Sequence, residues 1–201
     1  MNKNEYFLLD IVIEGKHFIN ILTKPDIELY LNRTTPNLSQ KQLFIHLKNL
    51  FDCGYIVAYK KNGDKFIPTD KEIKKYLYSP KKKLIAPPYG LTEKGGALWE
   101  EYSFPNWDRY VYASYDVNDG EIISADKTLV EKYLNLHPYR DKFIISGSET
   151  WDILSPWQAT YWKSLPIGYR VQFLYKSQLM QRPVPEIIYQ QLQDIETWYG
   201  K

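Results

Sequence analysis

The chain of 201 residues is long enough for two small cores, and its 44% hydrophobic and 16% aromatic residues give ample apolar area to build them, which excludes an intrinsically disordered protein. A single cysteine, Cys53, excludes an internal disulfide and a cysteine-based metal cluster. The net charge of +2 hides an uneven distribution: residues 57–92 hold nine lysines against three acids, so the rest of the chain is net acidic.

The first residues, MNKNEYFLLDIVIEG, place one lysine ahead of a short apolar stretch broken by Asp10 and Glu14. That pattern fits neither a secretory signal nor a membrane span, so a cytosolic location without membrane association is expected. A first helix is predicted from Asn4 to about Glu14, with Tyr6, Leu9 and Ile13 apolar and Gly15 as its stop. The segment His17 to Leu22 fits a helical turn or a short strand. A second helix is predicted from Pro25 through Ile27, Tyr30 and Leu31, ended by Thr35 and Pro36. The third helix has the clearest signal: Asn37 or Ser39 can cap it, and Leu43, Leu47, Leu50 and Phe51 recur at helical spacing. Cys53 follows in the same apolar run and is expected to be a buried thiol. Gly54 suits a helix stop, and Tyr55 to Tyr59 reads as a strand.

Asn62, Gly63 and Asp64 form a turn, and Thr69 or Asp70 can cap a short helix from Lys71 to Tyr78 that Pro80 ends. A strand from about Lys83 to Leu91 is interrupted by Pro87 and Pro88, which predicts a sheet edge. Thr92 then caps a helix, Glu93 to Tyr102, with Ala97, Leu98 and Tyr102 toward the core.

The run Leu50, Phe51, Asp52, Cys53, Gly54, Tyr55, Ile56, followed by Tyr89, Gly90, Leu91, Thr92, Glu93, Lys94, Gly95, resembles the end of the recognition helix and the closing wing strand of bacterial winged helix-turn-helix proteins. The resemblance covers about residues 4 to 102. It implies a three-helix domain closed by a β-hairpin, double-stranded DNA as partner, and a homodimer on palindromic sites. One departure stands out: more than 30 residues separate Tyr55 from Tyr89, where the family has a tight wing. The insertion reads as an enlarged wing carrying Lys60, Lys61, Lys65, Lys71, Lys74, Lys75, Lys81, Lys82 and Lys83.

Beyond Pro105 the period shortens. Arg109 to Val117 alternates as a half-buried strand, and Asn118, Asp119 and Gly120 turn it into a second, Glu121 to Ser124. Asp126 caps a helix from Lys127 to about Leu136. Strands are expected at Lys142 to Ser146, Thr150 to Leu154, Ala159 to Lys163 and Tyr169 to Lys176, and a last helix from Pro183 or Pro185 onward. The fold class is therefore α+β: a winged-helix domain over residues 1–104, and a small α+β domain with a mostly antiparallel sheet over 105–201.

Polar and cationic groups suited to base edges and phosphates cluster at Thr34, Asn37, Gln40, Lys41, Gln42 and Lys48 on and before the third helix. Lys60, Lys61, Lys65, Lys81, Lys82 and Lys83 of the wing add phosphate contacts. In the C-terminal half, Trp157, Tyr161, Trp162 and Lys163 form a candidate ligand or partner cluster, although core packing explains most aromatics. Asp116 to Glu121 fails the spacing of a calcium loop, and His17, His46 and His137 are too scattered for a metal. No nucleophile elbow, phosphate loop or acid–base pair is found, so no cofactor and no reaction class is expected. Two readings stand: a DNA-binding transcriptional regulator with a C-terminal sensing domain, or a protein-interaction or immunity-type module that uses the winged helix as scaffold.

Overall fold

The computed structural model describes residues 1–23, 36–78, 86–116, 118–136, 144–175 and 198–199. The helix expected from Pro25, the last helix from Pro183, Thr34 and the lysines at 81–83 lie outside them. The fold is mixed α+β with antiparallel sheets, in two compact units. Unit 1 comprises Met1–Tyr102 together with Thr160–Lys163; unit 2 comprises Ser103–Ala159 and Ser164–Lys201. No described helix is long and apolar enough to cross a membrane.

In unit 1, helix α1 spans Lys3–Asp10 behind a capping box of Asn2 and Glu5. It stops short of the expected Glu14 because Ile11 to Ile13 turn away, and the carbonyls of Val12 and Ile13 are bonded to side chains described below. Both readings of the next segment apply in succession: strand β1 (His17–Phe18) runs into a 3₁₀ turn, Ile19–Thr23. Helix α2 covers Gln40–Asp52, capped by Ser39, and buries Leu43, Leu47, Leu50 and Phe51. Gly54, at φ +69°, supplies the left-handed backbone that turns the chain into strand β2, Ile56–Tyr59. A tight turn with Gly63 at φ +88° leads to β3, Lys65–Phe66. Thr69 and Glu72 cap helix α3, Asp70–Tyr78. Strand β4 (Pro88–Leu91) and helix α4 (Glu93–Ser103) follow.

The sheet order β1-β4-β2-β3 corrects the expected edge position of the proline-bearing strand. β4 lies inside the sheet, with Tyr89 opposite both His17 and Ala58. The interior position is open to it because Pro88 is the first residue of the strand, where a missing N–H is tolerated, while the Pro87 carbonyl still accepts from the Ile19 amide at 3.3 Å.

The start of α4 explains the Thr-x-x-Gly pattern. The Thr92 amide donates to the Tyr55 carbonyl at 3.0 Å, its hydroxyl donates to Gly54 O at 2.7 Å, and the Gly95 amide donates back to that hydroxyl at 3.0 Å. A Cβ on Gly95 would collide with the Tyr55 carbonyl. The glycine face therefore seats the helix, and α4 buries Gly95, Gly96, Trp99 and Ser103. Ala97 and Tyr102, expected inward, are exposed, and Leu98 is half-buried.

In unit 2, β5 (Val111–Tyr115), β6 (Asp119–Ser124), β10 (Gly168–Leu174) and β7 (Thr150–Leu154) form an antiparallel sheet in the order β5-β6-β10-β7. Helix α5, Lys127–Leu136, begins as expected behind Asp126, whose carboxylate accepts from the Thr128 amide at 2.8 Å. Its Val130 and Leu134 pack on Ile122, Val171 and Phe173. A second cluster joins Trp107, Tyr110, Trp157 and Trp198, with Tyr110 stacked on Trp157 at 6.0 Å and 4.7 Å from Trp198. The strand expected at Ala159 to Lys163 is absent. Instead β8 (Trp157–Gln158) and β9 (Ser164–Leu165) pair as a short hairpin, whose tip closes through the Thr160 amide on the Lys163 carbonyl.

Candidate nucleic-acid interface

Helix α2 presents Lys41, Gln42, Ile45, Asn49 and Asp52 to solvent, opposite its buried stripe. Ile45, 51% exposed, sits among them. The inserted helix α3 runs antiparallel along one side of α2. Gln40 Nε2 donates to the Leu77 carbonyl at 3.2 Å at one end, and Lys48 meets Asp70 at 3.1 Å at the other. Between them Lys74 Nζ stands 4.7 Å from the centre of the Phe44 ring. Lys71 and Lys75, both exposed, share this helix. The buried face of α3, Ile73 and Leu77, explains why this lysine-bearing segment is helical: it folds as an amphipathic helix.

Three amide side chains on α2 are bonded within the protein. Gln42 Oε1 accepts from the Ser39 amide at 2.9 Å and from its hydroxyl at 2.8 Å. Gln40 is held by Leu77, and Asn49 Nδ2 donates to Glu5 Oε1 of α1 at 2.6 Å while its oxygen accepts from the Cys53 thiol. His46 is engaged as well, its Nε2 3.2 Å from the side-chain Nδ2 of Asn4. Lys48 is flanked by two carboxylates; the Asp52 hydrogen bond at 2.7 Å, and then that to Asp70, hold its ammonium above the ordinary lysine value. Asp70 was visible in the sequence only as a capping residue, and nothing in the spacing tied it to Lys48.

The remaining expected contacts distribute as follows. Asn37 is exposed just ahead of α2. Lys60 and Lys61 border the turn after β2, and Lys65 opens β3, all exposed on a hairpin closed by the Lys60 amide on Asp64 O at 2.9 Å. Thr34, Lys81, Lys82 and Lys83 lie outside the described residues. Cys53, expected to be buried, is exposed, because it is the C-cap of α2 and falls past the end of the apolar stripe.

The C-terminal cluster divides. Trp157 is buried in the aromatic group of unit 2, whereas Tyr161, Trp162 and Lys163 belong to unit 1. The Tyr161 hydroxyl donates to the Val12 carbonyl and accepts from the Leu91 amide, both at 2.6 Å. Burial raises its phenol well above the ordinary value, with the Leu91 hydrogen bond opposing. Trp162 Nε1 donates to the Ile13 carbonyl at 2.8 Å, and its ring meets Trp99 edge-on at 6.3 Å. Lys163 pairs with Glu100 at 2.5 Å. Gly90 and Gly96 make room: a Cβ on Gly90 would lie 2.7 Å from the Tyr161 oxygen, and one on Gly96 would overlap the Trp162 ring. The polar ends of these three side chains are thus engaged in holding unit 1 together.

Unit 2 carries a shallow polar hollow lined by Ser114, Asp116, Glu121, Ser148, Thr150 and Gln172. Among the described residues no group of histidine, cysteine and carboxylate side chains could hold a metal ion. No protein-family model, curated protein or solved structure matches the chain significantly.

Proposed function

We infer that unit 1 is a winged-helix domain that binds double-stranded DNA, with α2 laid toward the groove and the inserted segment acting as a wing. The element order supports this reading. Helix, short strand, 3₁₀ turn, a stretch outside the described residues, helix, strand, then the inserted β3 and α3, and a last strand that lies between β1 and β2, is an order that suits a winged helix with an insertion in its wing. The observation that carries it is the antiparallel packing of α3 on α2, which sets Lys74 beside Phe44 and keeps the lysines of α3 alongside the exposed flank that holds Lys41. Clustered ammonium groups beside a protruding helix suit a duplex, because each neutralised phosphate releases condensed counterions.

The test is binding of a fluorescent duplex to the full chain at two salt concentrations. Affinity is expected to fall by about a hundredfold or more between roughly 50 and 200 mM salt, as several phosphate contacts require. Absence of binding at the lower salt would refute the reading. A second reading, docking onto a protein, is favoured by the half-exposed Ile45 and the neutralised Lys48. It would take precedence if duplexes fail to bind while Ile45→Asp removes association with an identified protein partner.

A further inference from the structure

Resting on the duplex-binding reading, we propose that this interface grips the sugar–phosphate backbone without reading base sequence, so that its substrate class is duplex DNA in general and not an operator. Reading an adenine through an amide side chain needs the oxygen and the nitrogen of that amide together. On α2 each amide has given up at least one. Gln42 uses its oxygen twice on Ser39, Gln40 uses its nitrogen on the Leu77 carbonyl, and Asn49 uses both atoms, on Glu5 and Cys53. A good bidentate contact gives roughly ten- to a hundredfold discrimination between bases. Releasing Gln42 from the capping box that starts the helix gives back a factor of similar size, so the net selectivity is close to none.

One cation of α2 is in the same position. Lys48 lies between Asp52 and Asp70, and a guanine would have to displace two carboxylates to be read by it. What α2 and α3 present to solvent is Lys41, Lys71, Lys75 and, over the Phe44 ring, Lys74, ammonium groups on flexible stems that answer chiefly to phosphate charge. Ile45, the apolar residue of the flank, offers a thymine methyl only a nondirectional contact. The inserted helix contributes to both halves of this behaviour: it brings Lys71, Lys74 and Lys75, and through Leu77 and Asp70 it occupies Gln40 and Lys48, while Ser39 and Glu5 occupy Gln42 and Asn49.

The experiment compares full-length protein on three duplexes of about 25 base pairs with unrelated sequences and different A·T content, at fixed salt, together with a selection from a randomised duplex pool. The affinities are expected to agree within about threefold, against the thousandfold or greater preference of a specific site, and the selection is expected to yield no motif. Gln40→Ala should leave the ratios of affinity between the duplexes unchanged within about twofold, and K71A/K74A/K75A should weaken every duplex alike and flatten the log–log salt slope by about two to three. A selected sequence bound more than about a hundredfold tighter, or a change of preference in the Gln40→Ala protein, overturns the proposal and leaves duplex binding intact. Failure of every duplex to bind at low salt overturns both.

Discussion

Removing the hydroxyl of Tyr161 isolates one atom that serves two backbone groups. In Tyr161→Phe the ring keeps its place against Gly90, but the Leu91 amide and the Val12 carbonyl, each 2.6 Å from the lost oxygen, are left without that partner. A buried peptide group without a partner costs about 1–3 kcal/mol. Tyr161 is half-buried, so water can reach one of the two and reduce the sum; about 2–4 kcal/mol is expected. For a chain of this size each kcal/mol moves the midpoint by about 2–4 °C, which gives a drop of roughly 4–16 °C. Thermal and urea unfolding followed by tryptophan fluorescence measure it. The matched control is Tyr102→Phe, whose hydroxyl accepts, among the described residues, from the exposed N-terminal ammonium at 2.9 Å and should shift stability by less than about 0.5 kcal/mol. If both substitutions lie within about 0.5 kcal/mol of the wild type, the Tyr161 bridge contributes nothing and the reasoning fails.

Gly95→Ala is expected to destabilise by about 2–3 kcal/mol, since its methyl meets the Tyr55 carbonyl, a backbone atom that cannot swing aside; a urea midpoint unchanged from wild type would contradict this. Phe104 has a left-handed backbone, φ +47°, with its ring 81% exposed, so Phe104→Gly should stabilise by about 0.5 kcal/mol, and any measured loss would show that the ring is held. Alkaline titration probes the phenols of Tyr89 and Tyr161, both raised mainly by burial. The folded chain keeps their protons where the unfolded chain, with ordinary phenols near 10, has released them. Stability is therefore complete below about pH 10 and falls as pH rises above it, more steeply in wild type than in Tyr161→Phe; parallel midpoint curves for the two proteins from pH 8 upward would contradict it.

Local signals were legible where a single element decides its own structure. The stripe of Leu43, Leu47, Leu50 and Phe51 and the caps at Ser39, Thr92 and Asp126 are short-range chemistry, and the helices stand where those residues put them. Apart from Cys53, whose exposure follows from its place at the C-cap, the misreadings share a different cause, contacts between residues far apart in sequence. α1 ends early where its Val12 and Ile13 carbonyls meet side chains 149 positions away. β4 lies inside its sheet because β1 pairs beside it, and a proline alone cannot report a neighbour 70 residues upstream. The polar start of α2 was visible, but the bond of Gln40 to Leu77 and the pairing of Lys48 with Asp70 were not, since both depend on how the inserted helix packs.

Four residues from the second half of the chain, Thr160–Lys163, complete the N-terminal half, and this has a practical corollary. Cutting after residue 104 would remove Tyr161 and Trp162 from unit 1, baring the Leu91 amide and the Val12 and Ile13 carbonyls and opening the space over Gly90 and Gly96. Grafting the N-terminal half onto another protein would then require supplying the Thr160–Lys163 tip in trans or stitching it back by a loop, because here a sequence midpoint is not a seam.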